Sequence, residues 1–215
     1  SVMFPAVMFL FTVIAFFLFV RKVFDKNKHR EWIALVSSAF LIVSPSLIAR
    51  TVAGIPEKES AGFFFMFLSF YFLISSWKSE KMNKSLILAG LAGLSTAIMG
   101  MIWTGWIYIF FTVSVFYAIN FILGNIDKKA FFSYSLWLLL SFGVSIIVSP
   151  DRFNIMGLVY STTTGIGAVV FSILLVDFLV FNTRIKNIKF VERLREKVPD
   201  RVISAIFWVI FAIIF

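Results

Sequence analysis

The sequence predicts an all-α bundle of membrane-spanning helices, and three observations carry that prediction. Apolar residues make up 60% of the 215-residue chain and charged residues only 14%, with a mean hydropathy of +0.98; a soluble globular domain does not have this composition. Apolar runs of about 17 residues or more recur along the whole length, as a helix requires when ~20 residues at ~1.5 Å each must cross ~30 Å of hydrocarbon. A membrane β-barrel would show alternating segments of ~10 residues, and none occur. Lysine and arginine, finally, are confined to alternate loops: all except Arg50, Lys58 and Arg152 fall in segments 21–31, 78–84, 124–129 and 182–201.

Residues 1–20 form the first expected span, because they lack the basic n-region and cleavage site of a signal peptide. Pro5 is tolerated there, since a first-turn proline loses no hydrogen bond. A charged loop leads to the second span, 32–49, which delivers Arg50 to the opposite side. Residues 61–77 are the third span, with Trp77 at its interface. In the fourth, 85–102, Ala89, Gly93 and Ala97 recur every fourth residue. Small residues at that spacing let backbones approach closely in lipid, so this helix is expected inside the bundle.

The turn Trp103-Thr104-Gly105-Trp106 opens a fifth span ending near Leu123, and 131–148 and 157–181 are the sixth and seventh. The seventh is long enough to tilt. A basic segment, 182–201, precedes an eighth span of fourteen residues, 202–215, too few to cross comfortably. The expectation is therefore about seven complete spans plus one truncated, within a single partial transmembrane domain, 1–215, cut at both ends.

Basic residues are retained on the cytoplasmic side of a membrane. The loop pattern thus places both ends of the chain and segment 50–60 outside. It also explains the formal charge of +9 as topogenic and in contact with anionic lipid headgroups, so no nucleic-acid partner is expected. With no cysteine, disulfides and thiolate metal sites are excluded. The single His29 stands in a lysine-rich loop and reads as solvated. Asp177, the one acid deep in an apolar run, lies about a turn from the inner end of its span, within reach of water or Arg184.

Segment 50–60 is a polar island holding Arg50, Gly54, Pro56, Glu57, Lys58 and Glu59. Its residue types fit two readings. As a plain turn, Arg50 snorkels, Gly54 and Pro56 make the bend, and Glu59 suits a helix N-terminus. As a site, Glu57 and Glu59 offer hard oxygen ligands for Mn²⁺ or Mg²⁺, which need further ligands or waters to complete an octahedron.

The order Ser44-Pro45-Ser46-Leu47-Ile48-Ala49-Arg50-Thr51-Val52-Ala53-Gly54, two residues, then Glu57-Lys58-Glu59 before an apolar helix resembles the second acidic motif of the catalytic subunit of oligosaccharyltransferase, the Stt3, AglB and PglB family. Pro5-Ala6-Val7 and Trp103-Thr104-Gly105-Trp106 resemble two further family features, an early span and a tryptophan-rich turn at an external helix start. The likeness covers residues 1 to about 123; beyond that only hydropathy agrees.

The resemblance implies a GT-C glycosyltransferase bundle that transfers an oligosaccharide from a polyprenyl phosphate or diphosphate, such as dolichol-linked donors, to asparagine of Asn-x-Ser/Thr sequons, which is protein N-glycosylation. It implies that Glu57 is a divalent-metal ligand and that Glu59 supports the metal and the reacting groups. Arg50, Lys58, Trp103 and Trp106 are the expected donor-binding residues, with snorkelling for Arg50 and interfacial anchoring for the tryptophans as alternatives. Glu57 departs from the family's usual aspartate. The resemblance also requires acidic residues and an acceptor-reading domain outside these residues, so the chain alone is expected to be inactive. Ser161-Thr162-Thr163-Thr164-Gly165 has Gly165 where the family's later motif needs glutamate.

A protein O-mannosyltransferase would share the membrane fold and donor class but not the full Arg50-to-Glu59 string. A transporter would place charges or helix breaks at the midplane of several spans, whereas here charge clusters in loops. A noncatalytic scaffold is the remaining class. Absent cysteine and the Glu-Lys-Glu variant suggest a prokaryotic, archaeal plasma-membrane protein.

Overall fold

The structure, a computed structural model, describes residues 2–52, 57–182, 202–206, 208 and 209. Helix α1 (Phe4–Val23) carries Pro5 in its first turn and closes with Arg21 and Lys22, positive charges that suit the negative end of the helix dipole. A turn in which Asn27 Oδ1 accepts the His29 N–H at 2.8 Å leads into α2 (Arg30–Ile42).

The expected second span is broken. Ser44 is extended, with ψ 120°, as a residue preceding proline is driven to be, and Pro45 starts a separate short helix, α3 (Pro45–Ile48). Thirteen residues of α2 rise only about 20 Å, short of the ~30 Å hydrocarbon core.

Helices α4 (Lys58–Trp77), α5 (Met82–Ile102), α6 (Ile107–Ile122) and α7 (Lys128–Val148) follow, with a 3-10 turn over Thr104–Trp106 before α6. Asp127 caps α7, its Oδ1 accepting the Ala130 N–H at 2.7 Å. Two further helices, α8 (Ile155–Tyr160) and α9 (Gly165–Asn182), occupy the expected seventh span, which is therefore also interrupted, at 161–164. Among the described residues, five helical stretches have the length and apolarity to cross a bilayer: α1, α4, α5, Thr104–Ile122 and α7. Of the seven expected spans, the second and seventh are represented by helices shorter than these five, α2 with thirteen residues and the apolar part of α9, Gly165–Phe181, with seventeen. Residues 183–201 of the basic segment 182–201 and most of the eighth span lie outside the described residues.

Helix α5 packs between α4 and α7, α1 lies against α4, α2 against α1, and α6 against α9. Ala89, Gly93 and Ala97 are all buried, as expected. A Cβ on Gly93 would come within 2.7 Å of the Trp137 carbonyl oxygen in α7, so only glycine permits this approach. Polar side chains pair across the same three helices: Ser69 with Thr96 at 2.9 Å, the Trp137 indole donating to Thr96 Oγ1 at 3.1 Å, and Ser85 with Ser76 and Ser133, each at 2.9 Å. In a membrane interior without water, such groups must find each other.

The first three basic loops gather at one end of this bundle. Lys78 Nζ donates to the Lys22 and Val23 carbonyls, both at 2.9 Å, and to Asp25 Oδ1 at 2.6 Å. Lys129 Nζ donates to the Trp77 and Ser79 carbonyls at 3.3 and 2.8 Å. The start of α4, with Glu57 beside it and Glu59 in its first turn, is at the other end.

Candidate active site

Helix α3 is only four residues long, and it ends by presenting Arg50. Thr51, buried just beyond, bonds back to the Leu47 carbonyl at 2.8 Å and holds the chain against the helix end. Residues 53–56, including Gly54 and Pro56, lie outside the described residues. Glu57 is extended, with ψ 140°, and immediately precedes α4. Its carbonyl accepts the hydroxyl of the fully buried Ser60 at 2.8 Å, which fixes the entry to the helix. Glu59 stands in the first turn, where the helix dipole favours negative charge.

These local constraints bring both carboxylates onto one cationic atom. Arg50 Nη1 is 2.9 Å from Glu57 Oε2 and 3.2 Å from Glu59 Oε1. The hydrogen bond to Glu57, and the charges of Glu57 and Glu59, raise the Arg50 pKa above its ordinary value. Side-chain exposures of 48% for Arg50, 31% for Glu57 and 23% for Glu59 leave the cluster open to a ligand. They also mean that solvent screens the pairing. Among the described residues Arg50 bonds through Nη1 alone, and Lys58, between the two acids in sequence, is exposed and outside the cluster.

The two tryptophans differ. Trp103 lies over Gly62, where an added Cβ would meet its ring at 2.8 Å, and edge-on to Phe63 with centroids 5.3 Å apart. It therefore stands about one helical turn along α4 from Glu59. Trp106 is buried, at 6% exposure, packed on Gly100 and edge-on to Phe110 at 5.3 Å. Of the two tryptophans expected to bind donor or anchor at the interface it is the less accessible, because the 3-10 turn directs its ring toward the core and glycine at position 100 makes room for it.

A family model described as "Oligosaccharyl transferase STT3, N-terminal" matches residues 1–215, the whole chain. The chain belongs to the STT3 family. It is also 27% identical over 101 residues to the Caenorhabditis elegans protein "Dolichyl-diphosphooligosaccharide--protein glycosyltransferase subunit stt-3", a stretch covering 47% of this chain and 13% of that relative. The match therefore spans a small part of the relative's length.

In this STT3 chain the island gathers Arg50, Glu57 and Glu59 into one cluster, places Trp103 nearby and leaves Lys58 to solvent. Two carboxylates converging on one positively charged atom fit a hard divalent cation in charge and in oxygen chemistry. They amount to two ligand groups. Among the described residues no group of three or more Asp, Glu, His or Cys is assembled.

A cavity of ≈ 280 Å³ at the same end, lined by Trp106, Arg152, Asn154 and Thr163 among others, was not anticipated. Arg152 donates to the Met101 carbonyl at 3.0 Å, near the end of α5, and lies 5.0 Å from the Phe153 ring centroid. Its place among the three basic residues outside the basic loops was the available signal. Asp177 is buried and accepts the Ser204 hydroxyl at 2.7 Å; Arg184 lies outside the described residues.

Proposed function

We propose that this chain is part of the catalytic subunit of an oligosaccharyltransferase, which transfers an oligosaccharide from a polyprenyl phosphate or diphosphate to the asparagine amide of Asn-x-Ser/Thr sequons. The observation that carries the reading is the convergence of Glu57 and Glu59 on one cationic atom, in a chain of the STT3 family. The positive-inside pattern supports an extracytoplasmic placement of the cluster. The roles assigned to individual residues follow from their chemistry and position.

An amide nitrogen is a weak nucleophile, so the site must orient it and offset charge on the departing phosphate. Glu57 and Glu59 would hold Mn²⁺ or Mg²⁺, which when bound supplies positive charge against the leaving phosphate. Their remaining carboxylate oxygens can accept N–H from the acceptor amide and align it. Arg50, with guanidinium N–H groups beyond Nη1, and the exposed Lys58 offer donors to the phosphate. Trp103 presents an aromatic face for sugar or lipid near the cluster. Residues beyond this chain supply the remaining ligands and the acceptor-reading surface.

The test is Mn²⁺-dependent glycosylation of a sequon peptide by the full-length protein. Glu57→Gln and Glu59→Gln should each lower transfer by at least the ~10–100-fold that loss of a group merely supporting a metal site costs. Unchanged transfer in both variants would remove the assignment.

A further inference from the structure

At the lysine-bearing end of the bundle, α1, α4 and α5 enclose a second cavity, of ≈ 410 Å³, distant from the acidic cluster. Its walls include Lys22, Lys78, Lys81, Lys84, Ser75 and Glu80. Lys22 and Lys78 are held in place by Asp25, at 3.2 and 2.6 Å, and Lys78 spends its three donors on Asp25 and two carbonyls. Lys78 is thus a fixed charge, not a free arm. Lys81 and Lys84 are exposed and, among the described residues, have no acidic partner within ion-pair distance. Among the described residues only Glu80 and, behind the wall, Asp25 stand against the four lysines, so this lining is net positive.

Two observations indicate what it takes. Ser75, 8% exposed, belongs to the wall, and among the described residues its hydroxyl has no hydrogen-bond partner, although a buried hydroxyl ordinarily has one. Helix α5 begins here without a capping side chain, so its N-terminal amides add positive potential beside Lys81 and Lys84. An anion complements Lys81, Lys84 and the helix amides together.

The surroundings specify which kind of anion. An open apolar shelf formed by Met82, Ile87 and Leu88 adjoins the cavity and shares Lys81, Lys84 and Leu88 with it. Ile87 is 65% exposed. A phosphate with an acyl chain beside it matches this sequence of surfaces, charge then hydrocarbon, at the depth where headgroup meets acyl chain. We propose that this cavity is a binding site for one anionic phospholipid, its phosphate among Lys22, Lys81 and Lys84 and its acyl chain along α5.

The full-length protein in nanodiscs of mixed phosphatidylglycerol and phosphatidylcholine tests the site, with retained lipids identified by native mass spectrometry. Phosphatidylglycerol should be retained in preference to phosphatidylcholine. The double change Lys81→Gln and Lys84→Gln should cut that preference roughly 25-fold, from the contribution of two lysines at a membrane surface. Lys26→Gln with Lys28→Gln, which removes exposed charges of the neighbouring loop outside the cavity, should leave it largely intact, and millimolar inorganic phosphate should not displace the lipid. Equal retention of both lipids, equal loss in the two double variants, or displacement by phosphate alone would each overturn the proposal.

Discussion

Arg50 is the residue whose contacts the sequence foretells least. Sequence reading offered donor binding or snorkelling, because partners seven and nine positions away across an irregular turn follow no helical or strand period. The structure gives it two carboxylates through a single nitrogen. A tethered positive charge between Glu57 and Glu59 competes with any cation they bind. Arg50→Met should therefore raise the Mn²⁺ affinity of the full-length protein by no more than severalfold, since solvent screens the pairing; titration calorimetry measures it. A loss of affinity would instead mean that Arg50 positions the carboxylates for the metal. Trp106 teaches a similar lesson at the same scale, since its burial depends on the missing Cβ of Gly100, a fit that hydropathy cannot register.

At the scale of the helix, hydropathy located the long spans well because each must be apolar over its full length. The stripe of Ala89, Gly93 and Ala97 also correctly placed α5 inside the bundle. The breaks at Ser44-Pro45 and at 161–164 were lost, because a few polar residues inside an apolar run scarcely alter its average. The contact between α5 and α7 permits a paired test. Gly93→Val drives a side chain into the Trp137 carbonyl and should destabilise by roughly 1–3 kcal/mol. At Gly143 in α7 an added Cβ meets nothing within 4 Å, so Gly143→Ala should stabilise by ~0.5–1 kcal/mol through helix propensity. Thermal unfolding of both variants in the same detergent separates close packing from any general intolerance of glycine replacement.

For the molecule as a whole, the alternation of basic loops was legible in the sequence, but not the way three of them interlock through Lys78 and Lys129. The hydrogen bond from Lys78, reinforced by Lys22, holds the Asp25 carboxyl below its ordinary value despite partial desolvation. A lowered folded value stabilises the protein above the ordinary carboxylate range, and that contribution disappears as pH falls through it. Asp25→Asn should accordingly lower the melting temperature at pH 7, costing about 1 kcal/mol or less for a partly exposed pair. The gap from wild type should narrow below about pH 4, as a melting series across pH would record. The same lysine also has a mechanical consequence. It ties the far end of α4 to α1, and the eighteen residues between Lys78 and Glu59 set the two ends about 29 Å apart. Phe64, Phe67 and Phe70 continue the seam against Phe11, Phe16 and Phe19 of α1, so the lysine tie and the carboxylate end belong to one stiff rod and a strain at either end is felt at the other.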